Sequence, residues 1–161
     1  MFRRIFKEGL KGTLQVTLFF LFLFQAEACP LCASLELRVK GIQNNRGVIR
    51  VFLTRNAASF EEVNPEKIDA SQVYFKNLPA KKEDIVFRFN EVPSGDYAYK
   101  VFHDENTNEI LDTTLIGKPT EALSVSGYSK LKNEPLSFER AKFQLKPRAK
   151  MKVLVELGRI K

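Results

Sequence analysis

The 161-residue chain has no Trp, a single His and only two Cys. One imidazole and two thiols fall short of the four Cys or His ligands of a structural zinc site. The lone His has no second imidazole to work with, and general acid–base catalysis needs another positioned group. The Gly-x-Ser-x-Gly elbow that exposes a nucleophilic Ser is missing. Clustered Lys and Arg interleaved with aromatics, the mark of a nucleic-acid surface, are also missing, so no nucleic-acid partner is expected. No apolar run approaches the roughly 20 residues of a membrane-spanning helix. No segment carries the periodicity of a long amphipathic helix, and no internal repeat or low-complexity tract is present.

What the chain does have is enough length for one domain and 14 Phe to fill its core. The formal net charge is +7, but residues 1–28 hold four cations against Glu8 and Glu27 and so carry +2 of it, leaving +5 on the rest. Those Lys and Arg are spread thinly between apolar positions and read mostly as the solvated faces of strands. A negatively charged surface or polymer is the weak partner such a balance allows.

Residues 1–28 read as an address rather than as structure. Arg3, Arg4, Lys7 and Lys11 precede the apolar run Leu14–Phe24, and Gln25-Ala26-Glu27-Ala28 ends in small residues where a signal peptidase reads. The pattern predicts a secretory signal peptide cleaved after Ala28. The competing reading, an uncleaved anchor, is disfavoured by the shortness of the run. The mature protein is therefore expected outside the cytoplasm, periplasmic or secreted. It would begin with Cys29-Pro30-Leu31-Cys32, a short lead-in over residues 29–33. In an oxidising compartment that pair is expected to close as a structural disulfide. Lipidation of Cys29 stays open, although Ala26 stands where a lipoprotein signal usually has Leu. A redox-active pair would need a helix N-terminus in a βαβ setting, which the sequence does not offer. Membrane attachment is expected only if Cys29 is lipidated or the signal stays uncleaved.

Residues 34–161 read as one all-β domain. Leu35, Leu37 and Val39 alternate with Glu36, Arg38 and Lys40; Val48–Thr54 is a second strand, expected to pair with the first as a hairpin across the turn Gln43–Gly47. A polar crossover over residues 55–69 leads to a short strand over 71–76, broken by Asn77-Leu78-Pro79-Ala80. Strands follow at 84–90 and from Tyr97; a long Ser- and Gly-bearing loop then runs to Pro135, and strands return at Phe143–Leu145 and Met151–Leu157. Ser137-Phe138-Glu139-Arg140-Ala141 predicts one helical turn with Ser137 as its N-cap. About seven short alternating strands without a long helix bury their apolar faces most simply as two stacked sheets, a β-sandwich.

The Tyr97 strand runs into Asp104, Asn106, Asn108 and Asp112, short oxygen-bearing side chains spaced as in loops that wrap Ca²⁺. The same residues are ordinary turn formers, because Asn and Asp bond their own backbone and tolerate left-handed geometry. Both readings stand: a Ca²⁺ site with those four as ligands and Glu105 or Glu121 adding oxygens, or a structural loop without a cofactor. The loop is not an EF-hand, since Glu109 and Leu115 occupy the positions of the required Gly and of the bidentate Glu. His103 is expected to bond loop backbone rather than to ligate metal or move protons.

The run VPSGDYAYKVFHDENTNEILDTTLIGKPTE, followed by EPLSFERAKFQL, resembles the bacterial secreted domain-of-unknown-function family 2141. The matching positions are Gly95, Tyr97, Ala98, His103, Asp104, Glu105, Asn106, Asn108, Leu111, Asp112, Gly117, Pro119, Glu121, Pro135, Phe138, Ala141 and Phe143. The resemblance implies a small immunoglobulin- or transthyretin-like sandwich and no established activity. It draws His103, Glu105, Gly117, Pro119 and Glu121 into the candidate loop region. The family usually has Gly where Thr107 and Glu109 stand here. The expected function is an exported, envelope-associated binding or accessory module, more non-enzymatic than enzymatic, with an envelope or extracellular partner and its interaction surface between Asp104 and Pro135. The alternative is a metal-dependent hydrolase using the same loop.

Overall fold

The computed structural model describes residues 29–62, 67–127 and 137–159. The leader expected over residues 1–28 lies outside them, as does Pro135 at the far end of the expected interaction surface. Among these residues eight strands form in chain order: β1 (Cys32–Lys40), β2 (Val48–Thr54), β3 (Val73–Pro79), β4 (Ile85–Pro93), β5 (Gly95–Asp104), β6 (Leu123–Val125), β7 (Phe143–Leu145) and β8 (Lys150–Glu156). Two short α-helices, α1 (Ala57–Glu61) and α2 (Phe138–Ala141), and a 3₁₀ turn over Ala70–Gln72 interrupt them among the described residues. One sheet has the order β4-β1-β8; the other runs β3-β2-β5-β6, with β7 also on β5.

The period-two pattern explains the layering. In β1, Leu35, Leu37 and Val39 are buried and sit opposite Phe89, Phe87 and Ile85 of antiparallel β4. On the other side they pair with Met151, Val153 and Val155 of parallel β8. In the facing sheet Ile49, Val51 and Leu53 of β2 lie beside His103, Val101 and Tyr99 of β5. These inward rows interdigitate as one core.

Three expectations are corrected here. β1 and β2 do not form a hairpin, because each buries its apolar row from the opposite sheet and the segment between them crosses the sandwich. β3 is not broken at Asn77 but pairs with β2 through to Pro79. An edge strand tolerates a Pro at its end, where no ladder hydrogen bond is lost. The segment after Glu121 is not wholly loop, since Leu123–Val125 adds a strand to β5.

The outer face of the larger sheet carries a second, smaller core, in which Phe52 and Ala98 are covered by Phe60 of α1 and by Phe138 and Ala141 of α2. Ser137 stands at the N-cap of α2 as expected, but its side chain makes no capping bond. Glu61 does that work instead, accepting from the Phe138 N–H at 3.0 Å. Lys100 enters the same layer. Its ammonium lies 5.4 Å from the Phe52 ring and 5.1 Å from the Phe60 ring, and donates to the Glu62 carbonyl.

Burial outweighs the pull of Glu62 and Glu61 and lowers the Lys100 pKa from 10.5 to about 8. Between those values the unfolded chain holds the proton and the folded chain does not, so stability rises with pH across that window. The full gain is up to about 3 kcal/mol. Above pH 10 the trend reverses, because burial raises Tyr99 and pushes Tyr97 up to about 12. Urea unfolding from pH 7 to 10 is expected to show the rise, and Lys100→Met to flatten it. Equal slopes in the two proteins would contradict this assignment.

Candidate functional site

The sandwich has two unlike ends. At one, Cys29 and Cys32 lie at disulfide distance, with Cα atoms 5.2 Å apart. The adjoining backbone is tied down where Ser94 N–H donates to Leu31 O and Arg148 N–H to Cys32 O. At the other end, about 30 Å away along nine strand residues, the β1–β2 segment, the chain after β5 and the C-terminal residues meet. The expected loop residues all lie there.

His103 and Asp104 close β5, on opposite faces as alternation requires. His103 faces the core, and its Nε2–H donates to the Arg46 carbonyl at 2.7 Å. That carbonyl belongs to the turn between β1 and β2 and not to the Asp/Asn loop beside which His103 stands. Asp104 turns to the outer face and is fully buried. Arg50 Nε donates to its Oδ2 at 2.6 Å. The N–H groups of Asn108 and Glu109 donate to its two oxygens at 3.2 and 3.0 Å. Gly47 lets the β1–β2 segment press against this corner. At φ +67° it stands so close that a Cβ would fall 1.9 Å from the Asp104 carbonyl oxygen.

The four expected ligands do come together. Asn106 Oδ1 accepts from Asn108 N–H, and Asn108 Oδ1 from Ile110 N–H. Their amide nitrogens donate to the two oxygens of Asp112 at 2.8 and 2.9 Å. Glu121, also buried, spans the loop from behind. Its carboxylate accepts from Glu105 N–H at 3.0 Å and from Asp112 N–H at 3.3 Å. Burial raises the Glu121 pKa; the two N–H groups oppose the rise, and the charges of Asp104 and Asp112 add to it. Glu105 runs the other way. Burial pushes its pKa up, but Asn44 and Arg46, with His103 and Arg159, outweigh that and lower it. Its Oε2 accepts from Arg46 at 2.8 Å, its Oε1 from Arg159 at 2.7 Å. Every one of these oxygens thus already has a donor. Among the described residues no group of three or more His, Cys, Asp or Glu is placed to hold a metal ion.

Thr107 and Glu109 adopt φ of +62° and +70°, the left-handed region in which a Cβ costs roughly 1–2 kcal/mol. These are the two places where the resembled family has Gly. Thr107→Gly is therefore expected to raise stability by about 0.5–1 kcal/mol, the relief of strain exceeding the added freedom of the unfolded chain. A urea midpoint that falls in this variant would contradict the argument.

Beyond Asp112 the chain makes a second, protruding hairpin. Thr120 N–H donates to Asp112 O, Thr114 N–H to Lys118 O, and Gly117 N–H to Thr114 O. Thr113 and Pro119 form the bridge between its arms, and Gly117 supplies positive φ at the turn. Leu115 and Ile116 occupy the tip with relative exposures of 108% and 88%.

Several residues of this end were not legible beforehand. Arg50 and Arg46 read as solvated strand and turn cations, yet the Arg50 side chain is only 14% exposed. The one available signal was its place between Ile49 and Val51, inside an apolar strand. Arg159, which also donates to Thr120 O at 2.8 Å, gave none.

No curated protein and no solved structure matches the chain. A family does match, over residues 37–152, the span that holds β1 from Leu37, both short helices, the Asp/Asn loop and its hairpin. The chain belongs to the family described as "Uncharacterized protein conserved in bacteria (DUF2141)".

Proposed function

We propose that this protein is an exported, envelope-associated accessory module that docks through the hairpin beyond Asp112. The observation that carries the reading is the tip. Leu115 and Ile116 project side by side from a stem whose backbone bonds are made internally. Covering them would gain about 1.5–3 kcal/mol each, enough for a reversible contact. The sandwich is read as immunoglobulin- or transthyretin-like. The supporting feature is a tyrosine corner, in which Tyr97 OH donates to Pro93 O at 2.8 Å. The N-terminal Cys pair stands at the opposite end, so any anchoring there leaves the hairpin facing outward. Disulfide formation and lipidation compete for the same Cys29 sulfur, and only one can hold in a given molecule.

The Asp/Asn loop serves this reading as the base of the hairpin, held by hydrogen bonds. For a Ca²⁺ ion to enter, the Asn106 and Asn108 amides would have to turn away from Asp112, and the Asp104 carboxylate would have to be shared between the ion and Arg50. The hydrolase alternative fares worse, because His103 and Asp104 are buried and committed to Arg46 and Arg50.

The test is binding of purified protein to isolated bacterial envelopes. The wild type is expected to bind at least tenfold more tightly than Leu115→Ser/Ile116→Ser, with equal unfolding midpoints. Equal binding would refute the docking role. Thermal unfolding of metal-stripped protein decides the role of the loop. No Ca²⁺-induced shift is expected, whereas a shift of several degrees that Asp112→Asn abolishes would make the loop a cation site.

A further inference from the structure

We propose that the free edge of β8 is an interface with a second copy of this chain, formed by two β8 strands pairing antiparallel about Val153. Strand β8 is the outermost strand of the smaller sheet and, among the described residues, pairs with β1 alone. Ser34 N–H donates to Ala149 O, and Leu157 N–H to Lys40 O. In a parallel ladder the backbone groups of successive residues face alternate sides. The odd-numbered residues of β8 therefore turn their N–H and C=O groups to β1, and Lys150, Lys152, Leu154 and Glu156 turn theirs to the open side. Such a row is a template for another strand. The register with β1 runs unbroken from Lys150 to Glu156, with no Pro and no bulge to blunt the edge. All four outward residues are exposed, Leu154 by 59%. Met151 and Val153 pack against the core, yet they are only half-buried.

The other edges among the described residues lack this combination. β6 and β7 are three residues long. The β4 edge is overlain from β3, where Lys76 Nζ donates to the Arg88 carbonyl and the Tyr74 ring lies 6.4 Å from that of Phe89. β3 ends in Pro79 and has no acidic residue to set against Lys76. β8 is self-complementary, as a two-fold interface requires. Laid antiparallel about Val153, Lys150 faces Glu156 of the second copy, and Lys152 faces Leu154, whose exposed surface its aliphatic stem covers. On the core side Met151 falls opposite Val155, and Val153 opposite its own counterpart. Every outward N–H and C=O of the strand finds a partner in this register. Glu156 also meets Lys40 of its own chain at 3.3 Å, but 72% of its side chain is exposed and open to a second cation. Lys152 stands beside Glu36 of β1. A slip of one residue would set core-facing side chains opposite outward ones. A slip of two either sets Lys152 against Lys152, like charges directly opposite, or leaves Lys150 beyond the end of the partner strand.

Sedimentation equilibrium of the chain, expressed whole and purified as cells process it, tests the interface. The wild type is expected to show a monomer–dimer equilibrium. Lys150→Glu and Glu156→Lys, each alone, set like charges opposite each other at both ends of the pairing and should weaken dimerisation about tenfold or more. An equimolar mixture of the two variants should recover it, because the heterodimer has opposite charges at both ends again. Leu154→Pro removes an N–H that faces the open side and none that faces β1, a change that an edge strand tolerates. It should abolish the dimer while circular dichroism shows the fold kept. The charge variants leave every backbone bond in place, so they decide the matter if Leu154→Pro does not fold. A wild type that stays monomeric up to about 1 mM would overturn the proposal. So would a folded Leu154→Pro protein that still dimerises, or a mixture of the charge variants that associates no better than either one.

Discussion

Arg50→Met is expected to destabilise the protein by about 3–5 kcal/mol, the cost of leaving a buried charge without its partner. Asp104 has no exposed surface, and among the described residues Arg50 is its cationic partner, at 2.6 Å. Arg50 also reaches Glu109 at 3.4 Å and, with the Asn77 amide turned to accept it, Asn77 at 2.9 Å. Glu109 is mostly exposed, so that bridge contributes little. The loss should therefore track the Asp104 charge. Adding Asp104→Asn to Arg50→Met is expected to recover part of it, because the amide removes the buried charge and its one oxygen keeps an N–H donor, while the N–H that faced the other carboxylate oxygen loses its acceptor. Urea unfolding of the two variants measures this. An Arg50→Met protein within about 1 kcal/mol of wild type would show the pair to be dispensable, as exposed pairs are.

Gly47→Ala should be as damaging or worse, with a loss above about 4 kcal/mol or a failure to fold. Two costs combine there. The residue sits at φ +67°, and the new methyl would lie 1.9 Å from the Asp104 carbonyl oxygen and 2.8 Å from the Glu105 Cα. Both obstacles are backbone, and no side chain can swing aside to relieve them. The segment is also held in place from the other side, since Gly47 O accepts from Ala80 N–H. Gly117→Ala is the natural control. Its φ is +78°, yet its Cβ would meet nothing within 4 Å, so it should cost only the roughly 1–2 kcal/mol of left-handed strain. Similar losses at the two glycines would mean that the close approach at Gly47 does not matter.

Much of the sandwich was legible because burial on one face imposes a period of two. Leu35, Leu37 and Val39, or Ile85, Phe87 and Phe89, announce both the strand and its inward side. Pairing was less legible. The turn signal at Gln43–Gly47 says that the chain reverses, and says nothing about whether it returns to the same sheet. β1 and β2 part company there. Leu123–Val125 was too short to register against the Ser and Gly around it.

At the loop, the Asp and Asn spacing is visible in the sequence, and the structure gathers these residues into a compact polar cluster. Its wiring depends on residues far away in sequence: Arg50 lies 54 residues from Asp104, and Arg159 lies 54 from Glu105. No local pattern encodes such partners. Leu115 and Ile116 gave no hint of their exposure. An apolar pair normally points to burial, and only the three-dimensional hairpin shows the two side chains held outside.

Amide hydrogen exchange of the metal-stripped protein probes most directly whether the loop is a self-supporting stem that holds an apolar tip outward. Expected is strong protection of Asn108, Glu109, Asp112, Thr114, Gly117 and Thr120, whose N–H groups are all bonded within this end of the molecule. Leu115 and Ile116 should exchange at close to the free rate. Stem amides that exchange as fast as the tip, and slow down only when Ca²⁺ is added, would contradict it and return the loop to a cation.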